Sequence, residues 1–341
     1  MTPGSEPRGR AAVLGAGSWG TTLAAHLAGR GFQTRLWDAD RPNLERIRAD
    51  QENRKYLPGI ALPDSLEVIF DLAETLEGAA LVVWAVPSVA LRDVARAARA
   101  HLPEKALEAC ATKGLEPTGD DGRAHRMSQV LEAELGERAR AVLVGPSHAE
   151  EVSRGIPTSI VAAARRIEWA EAVQQAFFAP RFRVYAQDDL IGVELGSALK
   201  NVIALAAGIG DGLGYGDNSK GALLTRGLAE MSRLGCAAGG RRETFYGLSG
   251  VGDLITTAIS RHSRNRRVGE ELARGKSLAS ILADLGQVAE GVHTAPAALA
   301  LAAELGVETP ITREVCAVLL EGKSAQDALA DLLSRDPKRE S

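Results

Sequence analysis

The sequence predicts an α/β domain built on a doubly wound parallel sheet, followed by an all-α C-terminal domain. The length, 341 residues, is typical of about two domains. Up to about residue 189, short apolar runs alternate with helical patterns, and from Leu190 small apolar residues recur at helical spacing. We therefore expect a disordered N-terminal lead at 1–9, a sheet domain at 10–189, a helical domain at 190–334 and a frayed tail at 335–341.

The composition excludes several classes of protein. Hydrophobic residues make up 45% and charged residues 25% of the chain, which is typical of a soluble globular protein. The formal net charge of −4 argues against a nucleic-acid partner. No uncharged apolar run reaches the roughly 18 residues of a membrane span, and the N-terminal residues lack the apolar segment of a signal peptide. We expect a cytoplasmic protein with no membrane partner.

Cysteine and histidine patterns give no support for a metal or disulfide framework. Cys110, Cys236 and Cys316 lie far apart in apolar surroundings, and the six histidines show no zinc-ligand spacing. We expect three buried free thiols in a reducing compartment, and no metal.

The first two strands flank a glycine motif. Residues 11–14 form a short apolar run that predicts a buried strand, and the motif GAGSWG follows it and leads into a helical stretch. Gly15 permits the tight turn, Gly17 lets a pyrophosphate approach the backbone, and Gly20 lets the helix pack on the strand. The N–H groups and partial positive charge of the helix N-terminus attract phosphate. This arrangement favours dinucleotide binding over an ordinary glycine-rich turn.

An acidic residue at the end of the second strand favours one dinucleotide over the other. The strand at 33–38 ends in Asp38, 18 residues after Gly20. A carboxylate there can accept hydrogen bonds from both ribose hydroxyls and repels a 2′-phosphate, so it favours NAD over NADP. The alternative is a solvated loop acid, since Asp40 and Arg41 lie nearby.

Four further apolar runs predict strands of the same sheet. They cover residues 80–86, 107–112, 141–144 and 158–163. Ligands gather at the carboxyl ends of parallel strands, and Lys113 lies at such an end. Lys113 is therefore a candidate for contact with an anion or cofactor, and the alternative is a surface lysine.

The helical half contains three groups of candidate residues. Lys200 interrupts an apolar helix, so it either extends to the surface or faces a pocket as a general acid or base whose pKa is lowered by burial. Asp253 follows a glycine-rich turn and is either a helix cap or a site residue. Ser263, Arg264 and Asn265 offer a hydroxyl, a guanidinium and an amide suited to a phosphate, or they belong to a solvated basic loop.

These signals together resemble one enzyme family. The blocks GAGSWGTTLA, VVWAVPS, ATKGLE, GPSHAEEV, GVELGSALKNVIALAAGI, GLSGVGDLITT, SRNRRVG and GQVAEGV occur in order and are similar to bacterial NAD(P)-dependent sn-glycerol-3-phosphate dehydrogenases. The resemblance runs from about Arg10 to Leu333 and implies a Rossmann-type domain followed by a helical substrate domain. It implies hydride transfer between NAD(H) or NADP(H) and the pair dihydroxyacetone phosphate and sn-glycerol 3-phosphate, no metal, and a supply of glycerophospholipid backbone.

The resemblance also assigns roles to individual residues. Lys200 would exchange the proton at the C2 oxygen, with Lys113 and Asp253 shaping its electrostatic field. The residues implied to line the substrate site are Lys113, Gly145, Ser147, Lys200, Asp253, Thr257, Ser263, Arg264 and Asn265. Those implied to contact the dinucleotide, besides Gly15, Gly17, Gly20 and Asp38, are Ser18, Trp19, Lys113, Ala149, Arg264, Val288 and Glu290.

One departure and two alternatives accompany the resemblance. Many bacterial members place a basic residue after the second strand, whereas this chain has Asp38, Ala39 and Asp40, so we expect NAD(H) to be preferred or well used. The first alternative is a related two-domain dehydrogenase acting on another small phosphorylated or acidic substrate. The second is a dinucleotide sensor without turnover. A homodimer is compatible with the resemblance.

Overall fold

An eight-stranded sheet forms the centre of the first part of the chain. The computed structural model describes residues 8–117 and 122–334. The strands are β1 (Arg10–Leu14), β2 (Gln33–Trp37), β3 (Leu66–Val68), β4 (Ala79–Trp84), β5 (Leu107–Cys110), β6 (Leu115–Glu116), β7 (His125–Arg126), β8 (Arg140–Val144), β9 (Thr158–Ala163) and β10 (Phe182–Gln187). The order in the sheet is β10-β9-β8-β5-β4-β1-β2-β3, while β6 and β7 form a separate pair.

The sheet is parallel except at one junction. β8 and β9 run antiparallel, and the other neighbour pairs in the sheet are parallel. The connection from β8 to β9 contains the four-residue helix Ala149–Val152. All side chains of residues 11–14 and 81–84 are buried, and successive side chains point to opposite faces, so both faces of the sheet are covered.

In the described part of the chain, seven α-helices accompany the sheet. They are α1 (Ser18–Gly29), α2 (Arg41–Asp50), α3 (Leu72–Leu76), α4 (Leu91–Ala98), α5 (Met127–Leu135), α6 (Ala149–Val152) and α7 (Ile167–Phe177). Strands alternating with these helices confirm the predicted doubly wound α/β class. The six strands expected from apolar runs are all present, whereas β3 and β10 were not predicted.

Helices make up most of the described remainder. They are α8 (Leu190–Gly212), α9 (Asp217–Ala237), α10 (Arg242–Phe245), α11 (Asp253–Ile259), α12 (Arg264–Ala273), α13 (Leu278–Leu285), α14 (Glu290–Glu304), α15 (Pro310–Leu320) and α16 (Ala325–Leu333), with a π-helical turn at Leu248–Gly252. This confirms the all-α class expected for the C-terminal half.

The chain divides into two compact units. Of the described residues, unit 1 contains those up to Lys113 together with Arg126–Glu194, and unit 2 contains those between Gly114 and His125 and those from Leu195 onward. The division falls within α8, and the described residues between 114 and 125 lie with unit 2 although they precede much of unit 1 in sequence. Of the expected disordered lead, Arg8 and Gly9 are described, and the Arg8 N–H donates to the carbonyl of Gly31 at 3.3 Å. The rest of the lead and the expected tail at 335–341 lie outside the described residues.

α8 is the core helix of unit 2 and carries the residues that position the site. Among the described residues it is the one helix long and apolar enough to cross a membrane, but 94% of its most apolar window is buried inside the protein, as in the core helix of a soluble protein. Glycines let neighbours approach it closely: a Cβ on Gly196 would lie 2.8 Å from the carbonyl oxygen of Ser249, and one on Gly208 would clash with that of Arg266. The small residues of α8 therefore bring the π-helical turn and α12 against its backbone.

The cysteines differ from expectation at one position. Cys110 and Cys316 are buried, and burial raises the pKa of each thiol to about 12. Cys236 is exposed, so its expected place in the core was wrong. It lies in the last turn of α9, among residues that face solvent.

Candidate active site

The glycine motif forms a turn between β1 and α1 whose shape only glycine allows. Gly15 has φ +113°, and a Cβ there would lie 2.5 Å from the carbonyl oxygen of Ala85, which follows the neighbouring strand β4. A Cβ on Gly20 would clash with the carbonyl oxygen of Gly15. Next to Gly17 there is open space, with no atom within 4 Å of an added Cβ. Gly17 is also the N-cap of α1 and has no side chain to cover the first N–H groups of the helix. This turn therefore fits a dinucleotide pyrophosphate.

Asp38 lies beside this turn and is already engaged by the backbone. β2 pairs with β1, which brings the residue after β2 next to the glycine turn. One carboxylate oxygen of Asp38 accepts the Ala16 N–H at 2.5 Å and the other accepts the Asp40 N–H at 2.8 Å. A carboxylate oxygen has two acceptor sites, so capacity for ribose hydroxyls remains.

Basic residues near the end of β2 are engaged by other groups. Lys55 donates to Asp40 at 2.7 Å, and this hydrogen bond is the largest cause of an Asp40 pKa below its ordinary value. The Arg41 guanidinium lies 5.2 Å from the centre of the Phe70 ring, and its Nε donates to Glu45 at 3.2 Å.

Ser18 and Trp19 begin α1, and Ala149 lies beside this helix. Ser18 and Trp19 are half-buried, and the Trp19 ring packs on the core of unit 1 with its buried Nε1 making no hydrogen bond within the protein. Ala149 is the first residue of α6, and its carbonyl oxygen lies 3.5 Å from the Thr22 hydroxyl of α1. Residues expected at the dinucleotide from distant parts of unit 1 are thus neighbours.

Lys113, Gly145 and Ser147 form a second group in unit 1. β5 and β8 are neighbours in the sheet, so the residues that follow them meet at one edge. The Lys113 ammonium donates to the Gly145 carbonyl at 2.8 Å and lies 3.4 Å from the Ser147 hydroxyl, which itself donates to the Gly145 carbonyl at 2.9 Å. Gly145 has φ +140°, a conformation that favours glycine.

Lys200 is buried within unit 2 and does not extend to the surface. Only 5% of the residue is exposed. Its ammonium donates to Asp253 at 3.0 Å and to the Thr257 hydroxyl at 2.7 Å. Asp253 is the first residue of α11, after the π-helical turn, and Thr257 lies one helical turn later. The carboxylate favours the charged ammonium and so opposes the effect of burial. This cluster can hold a proton at one nitrogen atom and deliver it to an acceptor.

The three residues expected at a phosphate, Ser263, Arg264 and Asn265, have different surroundings at the start of α12. Ser263 caps the helix, and its hydroxyl oxygen accepts the Arg266 N–H at 3.2 Å. Asn265 is buried: its amide donates to the Asn201 side chain at 2.8 Å, and its oxygen accepts the Gly291 N–H at 2.9 Å. Arg264 is exposed. The solvated loop that was the alternative interpretation is instead the start of a helix.

Val288 and Glu290 lie at the start of α14, close in sequence to the Gly291 N–H that Asn265 binds. Glu290 is the first residue of α14, next to Gly291, and both Val288 and Glu290 are half-buried. The Gly291 N–H bonded to Asn265 joins this helix start to α12.

The expected residues thus form local groups within each unit. Two asparagines that were not predicted as site residues, Asn53 and Asn201, hold parts of these groups. Asn201 follows Lys200 and holds Asn265, and Asn53 holds the glycine turn of unit 1. Asn53 stands among Glu52, Arg54 and Lys55, and nothing in this charged stretch indicates that its amide holds the turn. Within the described residues, no group of three or more His, Cys, Asp or Glu side chains is placed to hold a metal ion.

Comparisons with known proteins show the family to which the chain belongs. The family model for the N-terminus of NAD-dependent glycerol-3-phosphate dehydrogenase matches residues 10–170, and the model for its C-terminus matches residues 189–330. The chain is 49% identical to the NAD(P)+ glycerol-3-phosphate dehydrogenase of Chlorobium phaeobacteroides over 96% of this chain and 98% of that protein. It is 51% identical to that of Moorella thermoacetica over 95% of each. The crystal structure of glycerol-3-phosphate dehydrogenase from Coxiella burnetii superposes with a TM-score of 0.91 at 38% identity, covering 96% of this chain and 99% of that one.

Proposed function

The chain belongs to the NAD-dependent glycerol-3-phosphate dehydrogenase family, and we propose that Lys200 carries the proton of that family's reaction. The reaction converts dihydroxyacetone phosphate, NAD(P)H and a proton into sn-glycerol 3-phosphate and NAD(P)+, and it is reversible. The buried Lys200–Asp253–Thr257 cluster is the observation that carries the proposal.

Lys200 supplies the proton that the carbonyl oxygen takes up during reduction. The bound nicotinamide supplies or accepts the hydride at C2. As negative charge grows on the C2 oxygen, the Lys200 ammonium donates a proton to it, and in the reverse direction the neutral amine takes the proton back. Asp253 stabilises the ammonium and Thr257 fixes its direction, since both contact the same nitrogen atom.

Phosphate recognition supplies binding energy away from the reacting atoms. Arg264 is our choice for the charged contact, because Asn265 is engaged inside unit 2 and the Ser263 oxygen caps α12. The N-terminus of the ten-residue α12 adds a partial positive charge. We further propose that Lys113, Gly145 and Ser147 in unit 1 contact the substrate, as in the family.

The dinucleotide is NAD(H) or NADP(H), and we propose that NAD(H) is preferred. The turn around Gly17 offers N–H groups to the pyrophosphate, and Ser18, Trp19, Lys113, Ala149, Arg264, Val288 and Glu290 are proposed as further contacts. Two backbone N–H groups hold the Asp38 carboxylate at the end of β2, so it cannot move away from a 2′-phosphate. Because Lys55 and Arg41 are engaged elsewhere, they do not compensate its charge.

We propose that the enzyme acts in the cytoplasm, that it forms a homodimer, and that its product supplies glycerophospholipid synthesis. We also propose the functional division into a dinucleotide domain at 10–189 and a substrate domain at 190–334.

Comparing the wild type with Lys200→Ala tests the proposal. Wild type should oxidise NADH in the presence of dihydroxyacetone phosphate, measured by nicotinamide absorbance, and Lys200→Ala should lower kcat about 10²- to 10⁴-fold. Lys323→Ala is the control, because Lys323 is an ion-paired lysine of unit 2 that bonds Glu314 at 2.5 Å. A folded Lys200→Ala variant with nearly normal kcat would remove Lys200 from the mechanism. A wild type that binds NADH without any turnover would favour the sensor alternative.

A further inference from the structure

Asn53 is a buried side chain in the connection between α2 and β3. It is fully buried, and every polar atom of its amide is used. The amide nitrogen donates to the Ala16 carbonyl at 2.8 Å and to the Thr21 hydroxyl at 2.8 Å, while the amide oxygen accepts the Tyr56 N–H at 3.3 Å. A single side chain therefore joins the glycine turn to the first turn of α1.

The bond to Ala16 sets the direction of the next N–H group. The peptide between Ala16 and Gly17 is trans, since the described residues contain no cis peptide bond. In a trans peptide the C=O and the following N–H point in opposite directions. By holding the Ala16 carbonyl, Asn53 turns the Gly17 N–H away from itself. The Ala16 N–H is held separately by Asp38, so both sides of this residue are fixed.

The segment that carries Asn53 is itself closed by hydrogen bonds. The Leu57 N–H donates to the Asn53 carbonyl at 2.7 Å and the Leu62 N–H to the Gln51 carbonyl at 2.8 Å. The Gly59 N–H donates to the Glu52 carboxylate at 2.7 Å. Asn53 is thus presented to the glycine turn by a backbone with little freedom to move.

We propose that Asn53 is a positioning residue for the dinucleotide, which aims the Gly17 N–H at the pyrophosphate. It acts through the backbone of the glycine turn and contacts neither the nicotinamide nor the substrate. The inference rests on the proposed use of this turn by the cofactor.

Binding measurements on Asn53→Ala test the inference. The variant should bind NADH about 5- to 100-fold more weakly in a fluorescence titration, because the Ala16 carbonyl loses its buried partner and the peptide can rotate. ADP-ribose, which contains the same pyrophosphate, should lose affinity by a similar factor. In steady state, KM for NADH should rise while KM for dihydroxyacetone phosphate and kcat change by less than threefold.

A matched variant separates positioning from a loss of stability. Asn43 is also buried, lies in the neighbouring α2, and its amide nitrogen has no hydrogen-bond partner in the structure. Asn43→Ala should keep the wild-type Kd for NADH. If Asn53→Ala does not fold, Asn53→Ser, which retains one donor, is measured in the same way.

Each outcome gives a decision. A folded Asn53 variant whose Kd for NADH stays within twofold of wild type overturns the inference, even if its melting temperature falls. An equal loss of affinity in Asn43→Ala overturns it too, because the effect would then be general to this region. A wild type that does not bind NADH refutes the proposed function instead.

Discussion

Arg264 and Asn265 are neighbours in the chain but face different surroundings. Asn265 is buried and bonded to Asn201 and Gly291, so its role is to hold α8, α12 and the start of α14 together. Arg264 is exposed at the first position of α12. A guanidinium can bind a phosphate with two parallel hydrogen bonds, and the helix N-terminus adds to the attraction. Substrate affinity and the integrity of unit 2 should therefore depend on different residues of this turn.

Arg264→Ala should raise KM for dihydroxyacetone phosphate by about 10- to 150-fold, since a hydrogen bond to a charged group contributes roughly 1.5–3 kcal/mol. Arg267→Ala is the control, because Arg267 is an exposed arginine of the same helix, one turn further on. Steady-state kinetics at saturating NADH measure both variants. Equal KM values for Arg264→Ala and Arg267→Ala would show that the phosphate is held elsewhere.

At the scale of elements, α1 is fixed at both of its ends. Its first turn is held through Thr21 by Asn53, and its last turn by His26, whose Nε2 donates to the Phe177 carbonyl at 2.7 Å. The His26 ring stacks on Phe177, with 6.2 Å between ring centres, and tilts against Phe182 at 4.7 Å. Burial is the main reason why the pKa of His26 lies below its ordinary value of 6.5. The contact between α1 and α7 is therefore built for a neutral imidazole.

Acidification should weaken this contact. The folded state binds a proton at His26 less readily than the unfolded state does, so the stabilisation by the neutral ring is present above about pH 6.5 and is lost as the pH falls below it. His26→Gln should lower stability at pH 8 by about 1 kcal/mol through the lost aromatic contact, and this deficit should shrink at pH 5. Thermal unfolding at both pH values measures it, with His101→Gln as the exposed control in unit 1. A deficit that grows on acidification would contradict the argument.

For the whole molecule, sequence patterns predicted the sheet better than its edges. Residues 11–14 and 80–86 are apolar because both faces of a central parallel strand are covered. β10 was not predicted because it contains no continuous apolar run. It is an edge strand in which Phe182 and Val184 are buried while Arg183 and Tyr185 are exposed. β3 has only three residues, too few for a pattern. The division of the chain at 114–125 also has no local signal, since it depends on which distant residues this segment packs against.

Site residues could be predicted where their residue type differs from that of their neighbours in the sequence. Lys200 stands out as a cation in an apolar helix, and GAGSWG as a glycine turn between a strand and a helix. The partners of Lys200 could not be derived from spacing, because Asp253 lies 53 residues away and meets it only when α11 packs on α8. Asn53 and Asn201 carry no charge, and their importance lies in the backbone and side chains that they hold.

Dinucleotide binding should stabilise the folded molecule as a whole, since the glycine turn exists only in the folded state. A ligand at 100 times its Kd stabilises by about 2.7 kcal/mol, which for a chain of this length raises Tm by roughly 4 °C. NADPH at the same concentration should give a smaller rise, because Asp38 is held beside the turn by the N–H groups of Ala16 and Asp40 and repels a 2′-phosphate. Thermal unfolding with NADH, NADPH and no ligand makes the comparison, and salt weakens the discrimination by screening. A larger rise with NADPH at low salt would mean that a cation reaches the 2′-phosphate, and the electrostatic account of cofactor preference would be wrong.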